Sequence, residues 1–326
     1  MNQITLGQSG FEHRPKRTRK QLFLSEMEQV VPWAAIIALI EPHYPKASNG
    51  RPPYPIASML RIHFMQQWFG LSDLAMEEAL HDTPAYRDFT QINHTEATLP
   101  DETTILRFRR LLETHNLAPA ILGLVNQLLA EQGILLKTGT VVDATLIAAP
   151  CSTKNKDGKR DPEMHSTKKG NQWHFAMKAH IGVDSASGVV HTVIGTAGNV
   201  HDITQASELL HGEETSVFGD AGYQGIEQRE EIQAKHPDVA FYTAMRPSKR
   251  KQLDVTTLLG QTLEKLEQVK ASIRAKVEHP FRVIKRQFGY VKVRYRGLAK
   301  NTAQLNTLFA LSNVWMMRYR LMPQMG

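Results

Sequence analysis

The stretch Gly139-Thr-Val-Val-Asp-Ala-Thr-Leu-Ile-Ala148 marks the point where the chain changes from a helical to a β pattern. Its β-branched and apolar residues fit a pleated, half-buried surface, so we predict a β-strand. Asp143 lies within this strand, where an unpaired carboxylate is costly to bury. Alternation along a strand would also allow Asp143 to face solvent, so this pattern alone makes it only a candidate site residue.

Downstream of this strand, strand patterns alternate with helix patterns. Apolar residues from Trp173 to Ile181 occupy every second position, a turn follows at Asp184–Gly188, and the returning strand is Val189–Thr196. The later predicted elements are a helix from Asp202, a strand at Thr215–Gly219, a helix at about Ile226–Lys235, a strand at Val239–Thr243 and a long helix from about Thr262. A hairpin followed by strands joined through helices predicts an α/β fold with a mixed sheet flanked by helices. This element order matches an RNase H-like fold.

Upstream of Gly133, apolar residues recur at three- and four-residue spacing, which predicts helices. The clearest predicted helices are Tyr54–Phe69, Leu71–His81, Asp101–Leu112 and Leu117–Gln132, with Asp101 as an N-cap. Short helices with tight connections are compatible with a helix-turn-helix DNA reader and equally with a small helical bundle. We therefore predict an all-helical domain over residues 1–134 and an α/β domain over residues 135–326.

Basic residues are concentrated near the two ends of the chain, which has 326 residues and a formal net charge of +7. From Gln268 onward there are twelve Lys or Arg residues and one acid, so this segment carries +11 and the rest sums to −4. A second basic cluster near the N-terminus consists of Arg14, Lys16, Arg17, Arg19 and Lys20. Such patches indicate a polyanionic partner, and we favour nucleic acid over a merely solvated face.

Other features of the composition exclude further classes. The most apolar stretch, Val30–Ile40, is too short to span a bilayer and is predicted to be a buried helix. The N-terminus has no apolar run typical of a signal peptide. A single cysteine, Cys151, excludes an intrachain disulfide and a multi-cysteine metal site. We therefore expect a cytoplasmic, nucleoid-associated protein without a membrane partner.

The segment Pro150–Gln172 separates the first two predicted strands and is polar and rich in Lys, Ser, Thr and Asp. A loop of this length within a compact domain is usually functional or disordered. Its basic residues could lie along DNA phosphates, and disorder explains the composition at least as well.

Acids in unusual surroundings indicate the reaction. Hydrolysis of a phosphodiester requires charge to be stabilised on the attacking and leaving oxygens, which two divalent cations roughly 4 Å apart can do. Magnesium prefers hard oxygen ligands, so such a site needs carboxylates. Besides Asp143, Asp220 fits because it ends the predicted strand Thr215–Gly219, and Glu278 fits because it is the one acid of the basic tail. Each of the two also has an ordinary explanation. Asp220 could simply form a turn, and Glu278 could be the ion-pair partner of Arg274 one helical turn away.

Several blocks of sequence around these acids resemble known families. A resemblance to bacterial DDE transposases is carried by Val141-Val-Asp-Ala-Thr145, Gly219-Asp-Ala-Gly-Tyr223 and Arg274-Ala-Lys-Val-Glu-His-Pro-Phe-Arg-Val-Ile-Lys285. A resemblance to the insertion-sequence-five family is carried by Lys168-Lys-Gly-Asn-Gln-Trp-His174, Glu278-His-Pro-Phe-Arg282 and Arg51-Pro-Pro-Tyr-Pro-Ile56. The likeness covers nearly the whole chain, and an ordered set of blocks is a specific signal.

The resemblance implies a transposase that acts on double-stranded DNA. Such an enzyme binds the terminal inverted repeats of its element, cleaves the transposon ends and joins the freed 3′ hydroxyls to target DNA. A homodimer is expected because two ends must be brought together. Asp143, Asp220 and Glu278 would be catalytic and would hold two Mg²⁺ ions, with Mn²⁺ as a substitute. Arg274 and Lys285 would hold phosphates near the metals. The alternatives are a nuclease without strand transfer and a non-catalytic DNA-binding descendant.

The third block departs from the family at one place. The family pattern is Tyr, two residues, Arg, three residues, Glu, six residues and Lys. Arg274, Glu278 and Lys285 occupy the last three places, whereas Ala271 stands at the place of the tyrosine. Pro280 adds a second question, because it disfavours a continuous helix. If the helix runs through, Glu278 and Lys285 lie two turns apart on one face, and if a new helix starts at Pro280 this spacing is lost.

Further basic residues are predicted to contact DNA phosphates. The basic residues of the segment from Val291 to Arg296 alternate with Val291, Val293 and Tyr295, so a strand there would have one wholly basic face. The predicted contacts besides Arg274 and Lys285 are Arg282, Arg286, Lys292, Arg294, Arg296, Arg107, Arg109 and Arg110.

Three weaker features have two interpretations each. Asp202-Ile-Thr-Gln205 is interpreted as a capping box in preference to a catalytic acid. Trp173 could stack on a base, but a place in the core is favoured. His174, Lys178 and His180 share one strand face and could meet DNA or face solvent.

Overall fold

The structure is a computed structural model that describes residues 17–46, 52–92, 98–156 and 158–322. Three residues named above, Arg14 and Lys16 of the N-terminal basic cluster and Arg51 of the proline-rich block, lie outside these ranges.

Helices form the described chain before the sheet. They are α1 (Arg19–Val30), α2 (Trp33–Ile40), α3 (Ile56–Phe69), α4 (Asp73–Asp82), α5 (Pro84–Thr90), α6 (Glu102–Thr114) and α7 (Leu117–Glu131). The four predicted helices are confirmed with small shifts at their ends. Asp101 is the N-cap of α6, where its Oδ1 accepts a hydrogen bond from the Thr104 amide over 2.7 Å.

The apolar stretch Val30–Ile40 is not one buried helix, as predicted, but crosses a helix boundary. α1 ends at Val30, and Pro32 precedes α2 because its ring and missing amide proton do not allow α1 to continue. Only Ile36 and Ile40 of α2 are buried. Among the described residues, no single helix is long and apolar enough to cross a bilayer. α1 and the helical segment Trp33–His43 have the required length and apolar composition only when taken together, and the angle between them is 71°.

A six-stranded sheet follows the helices. Its strands are β1 (Gly139–Ala148), β2 (His165–Lys169), β3 (Gln172–Asp184), β4 (Val190–Ala197), β5 (Ser216–Gly219) and β6 (Ala240–Thr243). β3 pairs antiparallel with β1 on one side and with β2 and β4 on the other. β5 pairs parallel with both β1 and β6. The strand order is β2-β3-β1-β5-β6, and β4 also pairs with β3. This order, with its antiparallel and parallel halves, confirms the predicted RNase H-like fold.

The segment predicted as a long loop contains a strand that the sequence analysis missed. β2 lies at the end of Pro150–Gln172 and forms a hairpin with the first residues of β3, where Lys168 pairs with Trp173. Its sequence, His-Ser-Thr-Lys-Lys, has no apolar alternation, and its residues are half-buried or exposed. Pairing with the backbone of β3, rather than burial of its side chains, therefore forms this strand.

Short helices join the later strands, and longer ones follow the sheet. They are α8 (Ala206–Leu209), α9 (Glu230–Lys235), α10 (Pro247–Arg250), α11 (Leu258–Arg274), α12 (Glu278–Arg282) and α13 (Leu298–Leu321). α11 begins before the predicted Thr262 because Thr257 caps it, with its hydroxyl accepting a hydrogen bond from the Gly260 amide over 3.1 Å.

One continuous apolar core joins the N-terminal helices to the sheet. It includes Leu60 of α3, Val141 of β1 and Phe309 of α13. Asn313 of α13 makes two hydrogen bonds with the backbone of Val190, accepting over 2.9 Å and donating over 2.7 Å. It also donates to the side-chain oxygen of Asn126 in α7 over 3.0 Å. α13 therefore ties the helical region to the sheet, and a domain boundary at residue 134 stays a prediction.

β1 separates two apolar layers. Val141 and Ile147 belong to the core shared with the helices, whereas Val142 packs with Leu209 and Val217 in a second cluster. Because side chains alternate along a strand, Asp143 projects towards the face of Val141 and Ile147. This is the face covered by the helices that follow the sheet.

Candidate active site

Parallel pairing of β1 with β5 brings the first two acids to neighbouring positions. Val141 lies opposite Phe218 in this pair, so the same register continued by two residues places Asp143 beside Asp220. β5 ends at Gly219, and the Oδ1 atom of Asp220 accepts a hydrogen bond from the Gly222 amide over 2.8 Å. Asp220 thus lies at the carboxyl end of a parallel strand, a usual position for ligand-binding residues in open α/β sheets.

The third acid reaches this site from the helices. Glu278 is exposed and is the first residue of α12. The residue before it, Val277, is buried in the core shared with β1. Burial of Val277 therefore holds the start of α12 against the sheet, with the Glu278 carboxylate at the surface.

The electrostatics of Asp143 reflect the charges of the other two acids. Burial raises the pKa of Asp143 to about 7, and the charges of Asp220 and Glu278 act in the same direction. The Ala144 amide, which donates to Asp143 Oδ1 over 2.7 Å, and the charge of Arg274 both lower the pKa. Three carboxylates and Arg274 therefore share one electrostatic neighbourhood.

Lys285, from the π-helical turn Val283–Gln287, reaches the strand that carries Asp143. Its Nζ donates hydrogen bonds to the Thr145 hydroxyl over 2.6 Å and to the Leu146 carbonyl over 3.0 Å. Burial and the charge of Lys169 lower the pKa of Lys285, and the charge of Glu278 opposes them. The ammonium group is therefore held beside the strand of Asp143, with the β2–β3 hairpin close to it.

The helical path passes Pro280 without stopping, but its hydrogen-bonding pattern changes. A 3₁₀ turn at Ala275–Val277 leads from α11 into α12, and a π-helical turn follows at Val283–Gln287. Pro280 is the third residue of α12, within the first turn, where amide protons have no partner inside the helix. The alternative in which a new helix starts at Pro280 is wrong, because the new α-helical segment starts at Glu278.

The donor set at this site suits a hard divalent cation. Carboxylate oxygens are the ligands that magnesium and manganese prefer, and a cation among them would relieve the repulsion that contributes to the raised pKa of Asp143. The three carboxylates do not all approach within 4.8 Å of one another, so sharing an ion requires them to move closer together. Asp143, Asp220 and Glu278 are the residues that would hold the ion.

Comparison with known proteins agrees with this geometry. A family model described as "Transposase DDE domain" matches residues 135–314, more than half of the chain. The chain belongs to this family of DDE transposases. A second family model, described as a transposase domain (DUF772), matches residues 11–111. A solved structure, of a piggyBac transposase synaptic complex with hairpin DNA, is 11% identical with a TM-score of 0.45, and the match covers 93% of this chain and 77% of that chain.

Membership of the DDE transposase family fits the chemistry of the site. The family implies nuclease and strand-transfer catalysis with divalent metal ions. Such catalysis requires carboxylates around a shared volume. In this family member the register of β1 and β5 places Asp143 beside Asp220, and Glu278 comes from the helix α12.

The basic residues predicted to contact DNA divide into two groups. The first group is exposed and consists of Arg107, Arg110, Arg282, Arg286, Lys292 and Arg296. Arg282 and Arg286 line a surface groove together with Trp315 and Arg318 of α13. DNA contact by this group stays a prediction.

The second group, Arg109 and Arg294, corrects the sequence analysis, because both side chains bind the protein itself. Arg109 is 9% exposed, forms ion pairs with Asp73 over 2.8 Å and Glu113 over 3.2 Å, and lies over the ring of Tyr295. The guanidinium of Arg294 donates to the Leu71 carbonyl over 3.2 Å. These contacts hold the segment after the π turn against α3, α4 and α6, and they leave little of either guanidinium for phosphate.

The basic strand predicted at Val291–Tyr295 is also absent. Residues 291–295 are all described, and their pairing consists of a single parallel bridge between Lys292 and Ala148. Arg294 turns towards Gly70, which ends α3 with a φ of 69°, and a Cβ there would lie 2.8 Å from the guanidinium. Tertiary contacts of Arg294 with the helical region therefore override the alternating pattern.

Trp173 is not a core residue, as predicted, but is 71% exposed. It lies on β3 within the hairpin, opposite Lys168, and the neighbouring pair is Lys169 with Gln172. At this end β3 extends beyond the apolar residues that pack against the sheet. The side of the strand that carries the alternating apolar residues therefore faces solvent here. An exposed indole beside two lysines is a possible platform for a nucleic acid base.

Asp202 does not form the predicted capping box. His201 is the N-cap of the 3₁₀ turn Asp202–Gln205 and makes no side-chain cap hydrogen bond. Asp202 instead pairs with Lys178, whose Nζ donates to Asp202 Oδ1 over 2.9 Å. His180 is fully buried next to this pair, so Lys178 and His180 face the crossover between β4 and β5 rather than DNA.

Tyr223 is a site residue that the sequence analysis missed. It is 1% exposed, and its hydroxyl has no hydrogen-bond partner among the described residues. Burial raises its pKa well above the usual value, and the charges of Asp202, Asp143 and Asp220 add to this effect. Its place three residues after Asp220 was visible in the second block. The structure shows that it packs in the apolar cluster of Val142 and is within the electrostatic reach of the carboxylates.

Proposed function

We propose that this chain is an active bacterial transposase of the insertion-sequence-five family. It binds the terminal inverted repeats of its own element, cleaves the transposon ends and joins the freed 3′ hydroxyls to target DNA. The observation that carries this proposal is the electrostatic coupling of Asp143 to Asp220 and Glu278 at one edge of an RNase H-like sheet. A DDE transposase needs two aspartates and one glutamate close together, whereas a protein that only binds DNA does not need such a cluster.

The proposed metal ligands are Asp143, Asp220 and Glu278, which would hold two Mg²⁺ or, as a substitute, two Mn²⁺ ions. When bound, the ions supply charge stabilisation to the attacking and leaving oxygens of the phosphodiester. Lys285 holds a positive charge beside Thr145, two residues along β1 from Asp143, where it would contact a scissile phosphate bound at the carboxylates. Arg274, which lowers the pKa of Asp143, offers a planar fork for a second phosphate oxygen.

The proposed DNA path crosses the basic surface next to this site. Arg282 and Arg286 continue from the third acid along the helical run, and both are exposed. Phosphate contacts of this kind give affinity without sequence recognition. We assign recognition of the transposon ends to the helical N-terminal region, and we expect a homodimer because two ends must be joined in one reaction.

A joining assay tests this function. The DNA that flanks the gene supplies the inverted repeats, and a linear fragment ending in them is incubated with the purified chain, magnesium and a supercoiled plasmid. The expected result is cleavage at the repeat followed by joining of the fragment to the plasmid, with a fragment of scrambled ends as the control. Cleavage without joining would identify a nuclease, and binding without cleavage a non-catalytic descendant, and either outcome contradicts the proposal.

A further inference from the structure

A second cluster of ligand-type side chains lies away from the three acids. His191 belongs to β4, and His211 and Glu214 belong to the segment between α8 and β5. One donor atom from each residue lies within 4.8 Å of the donor atoms of the other two. Among the described residues, no other group of three His, Cys, Asp or Glu residues has donor atoms this close together. It lies at the amino end of β5, whereas Asp220 lies at the carboxyl end.

The distances within the cluster are close to those of a metal site. The Nε2 atom of His211 lies 3.2 Å from Oε1 of Glu214, and the rings of His191 and His211 meet edge to face with centroids 4.7 Å apart. Donor atoms around a tetrahedral zinc ion are separated by roughly 3.4 Å, as bond lengths near 2.1 Å require. The cluster therefore needs only a small contraction to hold an ion.

Glu214 is a buried charge with little compensation. Its side chain is fully buried, and it accepts hydrogen bonds from the amides of His211 and Gly212, each over 2.8 Å, and from the Thr140 hydroxyl over 3.0 Å. Among the described residues its ion-pair partner is His211, which carries charge only when protonated. The nearby Lys137 pairs with Glu213 instead. A buried carboxylate without a cation is costly, and a divalent ion would supply the missing charge.

The two histidines differ in how free their nitrogen atoms are for this role. Nε2 of His191 lies 3.1 Å from the Thr140 hydroxyl, a contact that zinc would have to displace. Nε2 of His211 is buried and makes no hydrogen bond within the described chain. Nδ1 of His191 lies 2.9 Å from the Thr192 hydroxyl, the kind of outer contact that orients a metal-binding imidazole. Ligation has a cost as well, because the contact of the Glu213 amide with Nδ1 of His211, over 3.2 Å, must be given up when that nitrogen carries the proton.

We propose that His191, His211 and Glu214 bind one zinc ion, with water at the fourth position. Two imidazoles and one carboxylate suit a borderline cation such as zinc, whereas the three acids of the active site suit magnesium. The ion joins β4 to the segment that leads into β5, and so fixes the crossover that ends in Asp220. This site is structural and does not depend on the proposed reaction.

Zinc stoichiometry tests the proposal. The full-length protein is stripped with a chelator, dialysed against a small excess of zinc, freed of unbound metal and analysed for zinc per chain. The expected value is one for the wild type and for Asp220→Asn, which removes a carboxylate of the active site. It falls to zero in His211→Ala, while His81→Ala, which changes an exposed histidine of α4, keeps one ion. When Co²⁺ replaces zinc, the visible absorption bands of tetrahedral cobalt should appear in the variants that bind zinc and be absent from His211→Ala.

A second measurement guards against a folding defect. Circular dichroism first establishes that His211→Ala is folded, and His191→Gln is used if it is not. Zinc should raise the midpoint of thermal unfolding of the stripped wild type by at least about 3 °C, and should leave that of the folded variant unchanged. The proposal is overturned if the wild type retains no zinc, or if folded His211→Ala still retains it. The cluster would then be a hydrogen-bonded network without a metal.

Discussion

Lys285 donates a hydrogen bond to the Thr145 hydroxyl over 2.6 Å, and this contact joins the third sequence block to the strand that carries Asp143. Thr145 and Asp143 are two residues apart on β1 and therefore project to the same face. The hydrogen bond fixes an ammonium group on the strand of Asp143, within the electrostatic reach of Glu278, before any DNA is bound. Preorganised charge of this kind needs no rearrangement when the phosphate arrives.

Replacement of this lysine should separate catalysis from binding. Lys285→Ala removes a fixed positive charge from the scissile phosphate, and we expect cleavage to fall by about 100-fold. Binding of end DNA should weaken only a few-fold, since many other basic residues remain. Lys265→Ala, which changes an exposed lysine of α11, is the matched control and should retain full cleavage. Equal loss of cleavage in both variants would remove Lys285 from the site.

The cluster of acids should reduce stability in the absence of metal. Asp143→Asn removes a charge that is disfavoured by burial and by Asp220 and Glu278, so we expect the metal-free protein to be stabilised by on the order of 1 kcal/mol. Thermal unfolding in the presence of a chelator measures this difference. Addition of magnesium should raise the midpoint for the wild type and have little effect on the variant. A destabilised Asn variant would show that Asp143 is held by a favourable partner instead.

The two groups of arginines predict opposite phenotypes. Arg286→Ala should weaken binding to all DNA sequences and reduce the slope of log affinity against log salt by about 1, without a change in stability. Arg294→Ala should lower stability by about 1–2 kcal/mol, because it removes the guanidinium that donates to the Leu71 carbonyl, with the salt slope unchanged. Salt-dependent gel shifts and thermal unfolding of both variants measure the difference. A reduced slope for Arg294→Ala would restore that residue to the DNA surface.

The exposed tryptophan predicts a contact with a base. Trp173→Ala should weaken binding of DNA with an unpaired end by about tenfold, in line with the usual effect of base–aromatic stacking. Trp173→Phe should restore most of the affinity, and neither change should alter thermal stability, since the indole is 71% exposed. Fully paired DNA is the control substrate. An equal loss of affinity for both substrates would mean that the ring does not stack on an unpaired base.

Much of the fold could be predicted because local signals agreed there, whereas the three acids were singled out by the family resemblance and their role stays a prediction. The β-branched run around Asp143, the turn after Asp220 and the capping residue Asp101 each determine a local structure with their own chemistry. The order of strands and helices then selects the sheet topology. The same signals place Asp143 and Asp220 on adjacent parallel strands.

The failures of the sequence analysis have a common cause in tertiary contacts. Trp173 has the alternation of a core residue, but its strand extends beyond the helices that would cover it. Arg294 has the alternation of a basic face, but the carbonyl at Leu71 binds its guanidinium. Asp202 has the spacing of a capping box, but Lys178 on β3 is a stronger partner than an amide. The residues that bind Arg294 and Asp202 lie far away from them in sequence.

The most direct test of the account is Asp220→Asn, measured by gel shift and by cleavage of labelled transposon-end DNA with magnesium. The substitution keeps the shape of the side chain and removes the charge that holds a divalent cation. We predict that binding of end DNA persists or tightens, since a carboxylate beside phosphates is repulsive without metal, and that cleavage and strand transfer are lost together. Circular dichroism confirms that the variant is folded. Cleavage by the folded Asn variant at the wild-type rate would contradict the account, because it would remove Asp220 from the site.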